Sequence, residues 1–309
     1  MTGLLLLAVA AALLIGGAEL FVENAAAAAR RLGLTTLAVG LLLAGAEPEE
    51  LVTAVVAARA GHPDLAAGDA IGANVAILTL ALGAAAVARP LPISRRVRSY
   101  AALAAVAGLL AFLAVADGGV SRLVGVALLA AYAGLVALIW WREREPPAIG
   151  ELAEVAGNAT SAGSRSSTVG LVLALAGVGL MLVGGNVAVA GATRLVAAFD
   201  QQDGPVGLTL LALATSAEFL ALVGAAIRRG ASELAVAGVV GSVAYNATAT
   251  LGAAALASPL TLTGMGGPAA LATVLPLAVL ALSTGGRLGR QAGALLLAGY
   301  AAFAVVVLA

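Results

Sequence analysis

Two glutamates lie inside long apolar runs of this chain, where an ionised side chain is expensive. Glu49 is in the segment GAEPEEL and Glu218 is in the segment LATSAEFL. A charge at the centre of a lipid bilayer costs roughly 2.5–3.5 kcal/mol, so a carboxylate kept there indicates a functional site. Gly45 and Pro48 interrupt the first run, and a broken helix offers backbone carbonyls beside the carboxylates. Hard cations prefer such oxygen ligands, and we expect a cation site at Glu49 and Glu218.

Hydroxyl and amide side chains near the two glutamates could complete this site. Thr215 and Ser216 lie just before Glu218, and Asn74 and Asn246 lie in the Gly-rich stretches AIGANVAIL and VVGSVAYNA. We expect all four side chains at the cavity. Asparagine can also bond one membrane helix to another, and this second interpretation of the two asparagines stays open.

Two further acids flank Glu49. With Glu47 and Glu50 there are three carboxyl groups within four residues. They cannot all stay ionised in one apolar site, because like charges repel each other. One of them could carry a proton or face an aqueous vestibule, and the sequence leaves both open.

We expect the other ionisable groups of this region at the periphery of the protein. Glu19 and Glu23 share a helix face near the inner end of the first span, where a following arginine pair could neutralise them. Asp69 is expected near the outer mouth and not as a ligand. His62 lies in a turn next to a proline, and we expect it at the surface.

The two glutamate segments are copies of each other. Residues 49–86 align with residues 218–255 without a gap, at a constant offset of 169, and 14 of 38 positions are identical. Duplicated membrane segments with a buried carboxylate in each copy are typical of secondary transporters.

Composition restricts the chain to a membrane protein. Of its 309 residues 62% are hydrophobic and 10% are charged, and apolar runs of about 20 residues recur along the chain. The formal net charge is zero without a basic tract, so we expect no nucleic-acid partner. The chain has no cysteine and one histidine, which gives neither a thiol nucleophile nor a zinc or haem centre. We therefore expect no enzyme activity and no cofactor.

The apolar runs predict an all-α membrane protein with about ten transmembrane helices. A polar stretch, 142–168, divides it into a first five-helix repeat, 1–141, and a second five-helix repeat, 169–309. The predicted spans lie near 3–28, 34–60, 65–88, 99–116, 120–141, 169–198, 205–227, 232–256, 267–284 and 290–308.

The distribution of arginine predicts the orientation of the chain in a cell membrane. With the N-terminus outside, 13 of the 16 arginines lie on the cytoplasmic side. Both termini are then outside, and the linker 142–168 is cytoplasmic. Because five spans is an odd number, the second repeat enters the membrane from the opposite side, and the two repeats are inverted.

The motifs resemble those of the calcium/cation antiporter superfamily, which includes prokaryotic sodium/calcium exchangers and cation/proton exchangers. The family pattern is roughly GTSxPE followed by GHPDxAxGNxxGSN. This chain has GAEPEEL and GHPDLAAGDAIGAN in its first half, and ATSAEF and GVVGS in its second. The resemblance covers most of both halves and implies inverted five-span repeats with one glutamate from each, here Glu49 and Glu218, at a central cation site. It also implies a set of neighbouring ligands: Thr215, Ser216, Ser242 and Asn246.

The chain departs from the family pattern at several of these positions. The family spacing favours Glu50 as the first ligand, whereas the internal repeat favours Glu49. Ala46 and Glu47 replace the usual Thr and Ser of the first motif, and Ile77 stands where sodium/calcium exchangers often have Asn. A smaller number of oxygen ligands favours fewer Na⁺ sites or competition by protons.

The residues and the resemblance together predict a secondary active antiporter in the lipid bilayer. It would exchange Ca²⁺, or a similar divalent cation, for Na⁺ by alternating access, with small inorganic cations as its substrates. The alternative is proton-coupled exchange, in which protonation of glutamate replaces the binding of Na⁺. A cation channel is a more remote alternative, because a channel requires a continuous pore.

Overall fold

The computed structural model describes residues 1–31, 47–143, 167–219, 223 and 232–309. Ten helices follow one another in these residues, five in each half of the chain. The first half contains α1 Thr2–Arg31, α2 Pro48–Arg59, α3 Pro63–Ala88, α4 Arg95–Val115 and α5 Arg122–Glu143. The second half contains α6 Ser167–Phe199, α7 Asp203–Thr215, α8 232–257, α9 Gly266–Leu282 and α10 Arg290–Leu308.

The helices are long because Ala, Leu and Val dominate the runs between proline, glycine and arginine. Seven helices of the described chain are long and apolar enough to cross a membrane. The other three, α2, α7 and α9, are shorter and occupy the remaining predicted spans. The predicted all-α fold with ten helical segments is confirmed. Gly45 of the predicted helix break and most of the linker, 144–166, lie outside the described residues.

The internal repeat is visible in the backbone. A π-helical turn interrupts α3 at Ile77–Ala81, and a second interrupts α8 at Asn246–Thr250, which is the same position in the repeat. After these turns both helices end in the same way, at Arg89 with φ −150° and ψ 130° and at Ser258 with φ −150° and ψ 129°. The two halves are therefore copies in conformation as well as in sequence.

Two short antiparallel ladders connect the repeats to each other. Strand β1 (Leu91–Pro92) pairs with β4 (Arg287–Leu288), and β2 (Gly119–Val120) pairs with β3 (Leu260–Thr261). Each ladder joins one strand of the first repeat to one strand of the second. This exchange is the arrangement expected of two repeats related by inversion.

The helices that follow the two glutamate segments form the centre of the protein. In α3 83% and in α8 89% of the apolar window is buried, against 22% in α5 and α10. At Gly72 a side chain would collide with the carbonyl of Leu208, and at Gly68 a Cβ atom would lie 2.9 Å from the Leu208 nitrogen. Glycine at these two positions lets the backbone of α3 contact the π-helical turn Gly207–Leu211 of α7. This contact determines which side chains of α3 meet the end of α7.

Candidate cation site

The candidate site lies where the start of α2, the end of α7 and the middle of α3 and α8 meet. Helix α2 begins at Pro48, because proline lacks a backbone donor and fits the first turn of a helix. Glu47 is its N-cap residue, and Glu49 and Glu50 lie in its first turn. All three carboxyl groups are fully buried. The positive end of the α2 dipole therefore faces a cluster of acids inside the protein.

Two neighbouring hydroxyls at the end of α7, on its last residue Thr215 and on its C-cap residue Ser216, each bind a carboxylate of the first repeat. Ser216 donates a hydrogen bond of 3.0 Å from Oγ to Oε1 of Glu50. Thr215 donates one of 2.9 Å from Oγ1 to Oδ1 of Asp69. All four side chains are buried. The end of α7 thus orients two carboxylates that belong to different helices, α2 and α3.

Glu218, the predicted ligand of the second repeat, borders the same cluster. It is partly exposed, and its carboxylate lies within electrostatic range of Glu50 and Glu47. Glu49, its partner in the repeat, is fully buried, and its backbone carbonyl accepts a 2.8 Å hydrogen bond from Thr53. The structure thus brings the predicted glutamates of both repeats to one place, with Glu50 bonded to the α7 hydroxyl. Whether Glu49 or Glu50 is the primary ligand stays a prediction.

The polar side chains of α8 complete the cluster. Asn246 lies beside Glu50 and accepts a 3.2 Å hydrogen bond from Thr250 at its Oδ1. Ser242 lies beside Glu47 and donates a hydrogen bond of 3.1 Å to the carbonyl of Gly238. The π-helical turn starts at Asn246, so this side chain points from a widened turn of α8.

Asn74 has a different environment from the other predicted ligands. Its Nδ2 donates a 3.2 Å hydrogen bond to the carbonyl of Val243, which links α3 to α8. Its Oδ1 is buried and accepts no hydrogen bond from the described residues. Asn74 therefore connects the two repeats by its amide and leaves one oxygen for another partner.

Three buried carboxyl groups have no basic partner within the described part of the chain. Glu47, Glu50 and Asp69 form no ion pair there, where the recorded pair joins His62 to Asp203. Among the described residues, both oxygens of Glu47 also lack a hydrogen bond of normal geometry, and their polar neighbours are Ser242 and Glu50. Ionised groups that are removed from water require compensation by an opposite charge or by hydrogen bonds. A bound cation would supply this compensation.

The sequence reasoning misplaced Asp69 and missed the partner of His62. Asp69 was expected near the outer mouth, but it is fully buried and bonded to Thr215. The internal repeat gives no signal for it, because the matching residue is Gly238. His62 is only one-third exposed, and its Nδ1 lies 2.7 Å from Oδ2 of Asp203, which ties the start of α3 to the start of α7.

A family model for the sodium/calcium exchanger protein matches residues 2–141 and 169–309. The chain belongs to this family. Its members are exchangers, so the protein is a multi-pass membrane transporter of small cations and not an enzyme. The resemblance to the calcium/cation antiporter superfamily that the motifs indicate is thereby confirmed.

Related proteins agree with this membership over most of the chain. A protein of Alkalimonas amylolytica that is named as antiporter CaxA is 31% identical over 80% of this chain and 78% of its own length. The inner membrane protein YrbG of Escherichia coli is 28% identical over 82% of this chain and 79% of its own length. A structure of the sodium-calcium exchanger NCX_Mj, soaked with 10 mM Na⁺ and zero Ca²⁺, matches with a TM-score of 0.63 and 25% identity. That match covers 99% of this chain and 98% of the other.

Proposed function

We propose that the protein exchanges Ca²⁺, or a similar divalent cation, for Na⁺ across the plasma membrane by alternating access. The observation that carries this proposal is the convergence of carboxylates from both repeats, Glu50 and Glu49 from the first and Glu218 from the second. Calcium takes six to eight oxygen ligands, with carboxylates among them. The carboxylates, the hydroxyls of Thr215 and Ser216 and the amide of Asn246 offer this set.

The contact between α1 and α6 supports movement of these helices against the rest of the protein. They are the longest helices of their repeats and pack along each other, with Gly17 against the carbonyl of Gly177. A Cβ atom on Gly17 would lie 2.8 Å from that carbonyl, so backbone meets backbone at the crossing. The two helices therefore form one closely packed pair, in which Met181 also lies against Gly17 and Leu14 against Gly184. We propose that α1 and α6 slide to open the site to each side in turn.

Proton-coupled exchange is the second candidate, and one observation favours it. Glu47 and Glu50 are neighbours inside the protein without a basic partner in the described residues. Two carboxylates at such a place stay together only if a cation or a proton lies between them. When Ca²⁺ leaves, a proton could replace it as readily as Na⁺.

Transport in liposomes distinguishes these candidates. Purified protein is reconstituted, and uptake of radioactive Ca²⁺ is driven first by an outward Na⁺ gradient and then by a pH gradient. Uptake with the Na⁺ gradient alone supports the first candidate, and uptake with the pH gradient alone supports the second. If neither gradient drives Ca²⁺ uptake, the proposal of Ca²⁺ antiport is wrong.

A further inference from the structure

We propose that Asp69 is a direct ligand of the transported divalent cation, that only the first repeat supplies this carboxylate, and that Thr215 orients it. This inference rests on the proposed function and adds to it a residue that favours divalent over monovalent cations. It assigns a role to a side chain that has no counterpart in the second repeat and at which the chain departs from the motif pattern.

The state of the Asp69 side chain supports a ligand role. The residue is fully buried, and its Oδ1 accepts the hydrogen bond of 2.9 Å from Thr215. Its Oδ2 is buried too and has no hydrogen-bond partner among the described residues. A buried carboxylate oxygen without a partner costs several kcal/mol if it stays that way. A cation that binds to Oδ2 removes this cost.

The position of Asp69 directs it toward the cation site. Gly68 and Gly72 on either side of it bring α3 into backbone contact with Leu208 of α7. Thr215 lies about two turns further along α7, and the next residue, Ser216, binds Glu50. Asp69 and Glu50 are also within electrostatic range of each other. The two carboxylates therefore border one site from α3 and α2.

Asp69 adds a negative charge for which the second repeat has no counterpart. The matching position is Gly238, which has no side chain. In the motif pattern GHPDxAxGNxxGSN the corresponding position is Asn, whereas this chain reads GHPDLAAGDAIGAN. An aspartate in place of an amide adds one negative charge at the same size. The attraction to a cation scales with the product of the charges, so the addition favours Ca²⁺ over Na⁺.

The variant Asp69→Asn separates a ligand from a structural residue. The amide oxygen of asparagine can still accept the hydrogen bond of Thr215, so a purely structural role predicts no change. A ligand role predicts that Ca²⁺ binds about tenfold more weakly, while Na⁺ binds almost as before. The matched control is Asp64→Asn, on the same helix, where the carboxylate accepts a 2.8 Å hydrogen bond from the Thr263 nitrogen away from the acid cluster.

Calorimetric titration of the purified full-length protein with Ca²⁺, and then with Na⁺, measures both affinities without requiring transport. A tenfold loss for Ca²⁺ in Asp69→Asn but not in Asp64→Asn supports the proposal. Wild-type affinity in Asp69→Asn overturns it and leaves the proposed function intact. If the wild type binds no Ca²⁺, the proposed function fails, and this inference fails with it.

A second variant covers the case in which Asp69→Asn does not fold. Asp69→Glu keeps the charge and moves the carboxylate by one methylene, which changes the size of the site. If Asp69 is a direct ligand, the same titration should show an altered preference between Ca²⁺ and Sr²⁺. An unchanged affinity and an unchanged preference in Asp69→Glu overturn the proposal.

Discussion

Ser216 of the second repeat donates a 3.0 Å hydrogen bond to Glu50 of the first, and both side chains are buried. This bond joins the end of α7 to the start of α2 at the point where the acids of both repeats meet. A shift of α7 relative to α2 would break the bond and change the position of Glu50. The position of Glu50 therefore depends on how the two repeats are arranged.

The glutamates at the site are expected to be required for transport. Glu49→Gln, Glu50→Gln and Glu218→Gln each keep the size of the side chain and remove a charge that a divalent cation needs. We expect Glu218→Gln and the substitution at the primary ligand of the first repeat to abolish Ca²⁺ uptake while the melting temperature stays near that of the wild type. Uptake of radioactive Ca²⁺ into liposomes measures the loss of transport.

The comparison of Glu49→Gln with Glu50→Gln decides the register of the first motif. The hydrogen bond from Ser216 favours the stronger loss in Glu50→Gln, and the internal repeat favours it in Glu49→Gln. Full transport in either variant removes that residue from the site.

Removal of the Ser216 hydroxyl is expected to weaken cation binding. In Ser216→Ala the Glu50 carboxylate loses its donor and is no longer held in one orientation, which costs about 1–3 kcal/mol for a buried polar group. We expect a higher KM for Ca²⁺ with a smaller change in the maximal rate. Thr209→Val is the matched control, since Thr209 is a buried hydroxyl that bonds to the Pro205 carbonyl within its own helix. An equal rise of the KM for Ca²⁺ in the control would show that the loss of any buried hydroxyl raises the KM, and not the loss of the Ser216 bond to Glu50 in particular.

A side chain at Gly72 is expected to destabilise the protein. Gly72→Ala places a methyl group against the Leu208 carbonyl, and α3 and α7 must move apart. Overpacking of this kind costs typically about 1–3 kcal/mol. Gly134→Ala, in α5, serves as the control, because no atom of a facing element in the described part of the chain lies within 4 Å of the added methyl. Thermal unfolding in detergent measures the melting temperatures of both variants. An unchanged melting temperature in Gly72→Ala would contradict the close contact between α3 and α7.

Cysteine labelling tests the orientation in the membrane. The chain has no cysteine, so a single introduced thiol is read without background. With the linker in the cytoplasm, Ser164→Cys should resist an impermeant thiol reagent in intact cells, and Ala309→Cys should react. The reverse pattern would invert the predicted topology.

Transport is expected to fall as the pH drops below about 6. Carboxylates bind a cation in their ionised form, and a lower pH favours the protonated form, so protons compete for the site. The cluster holds several carboxyl groups in a buried place, where the ionised form is disfavoured. Sodium-driven Ca²⁺ uptake measured between about pH 8 and about pH 5 tests this. A flat profile over that range would exclude competition by protons.

Much of the fold follows from the sequence by itself. Hydrophobic runs between arginine, proline and glycine determine ten helices, because every backbone group in a bilayer must be bonded internally. The gapless repeat of 49–86 in 218–255 predicts two copies of one unit, and the π-helical turns of α3 and α8 at the same repeat position agree with this. The sequence also identifies Glu49 and Glu218 as candidate ligands, because a charge in an apolar run is costly.

Which side chains meet at the site was decided by the tertiary structure. Glu49 and Glu50 are neighbours on a helix and point about 100° apart, so the rotation of α2 in its packing determines which of them faces Ser216. Asp69 becomes a buried partner of Thr215 because Gly68 and Gly72 allow α3 to approach α7. Sequence periodicity describes one helix at a time, whereas these contacts depend on how close two helices lie and at what angle.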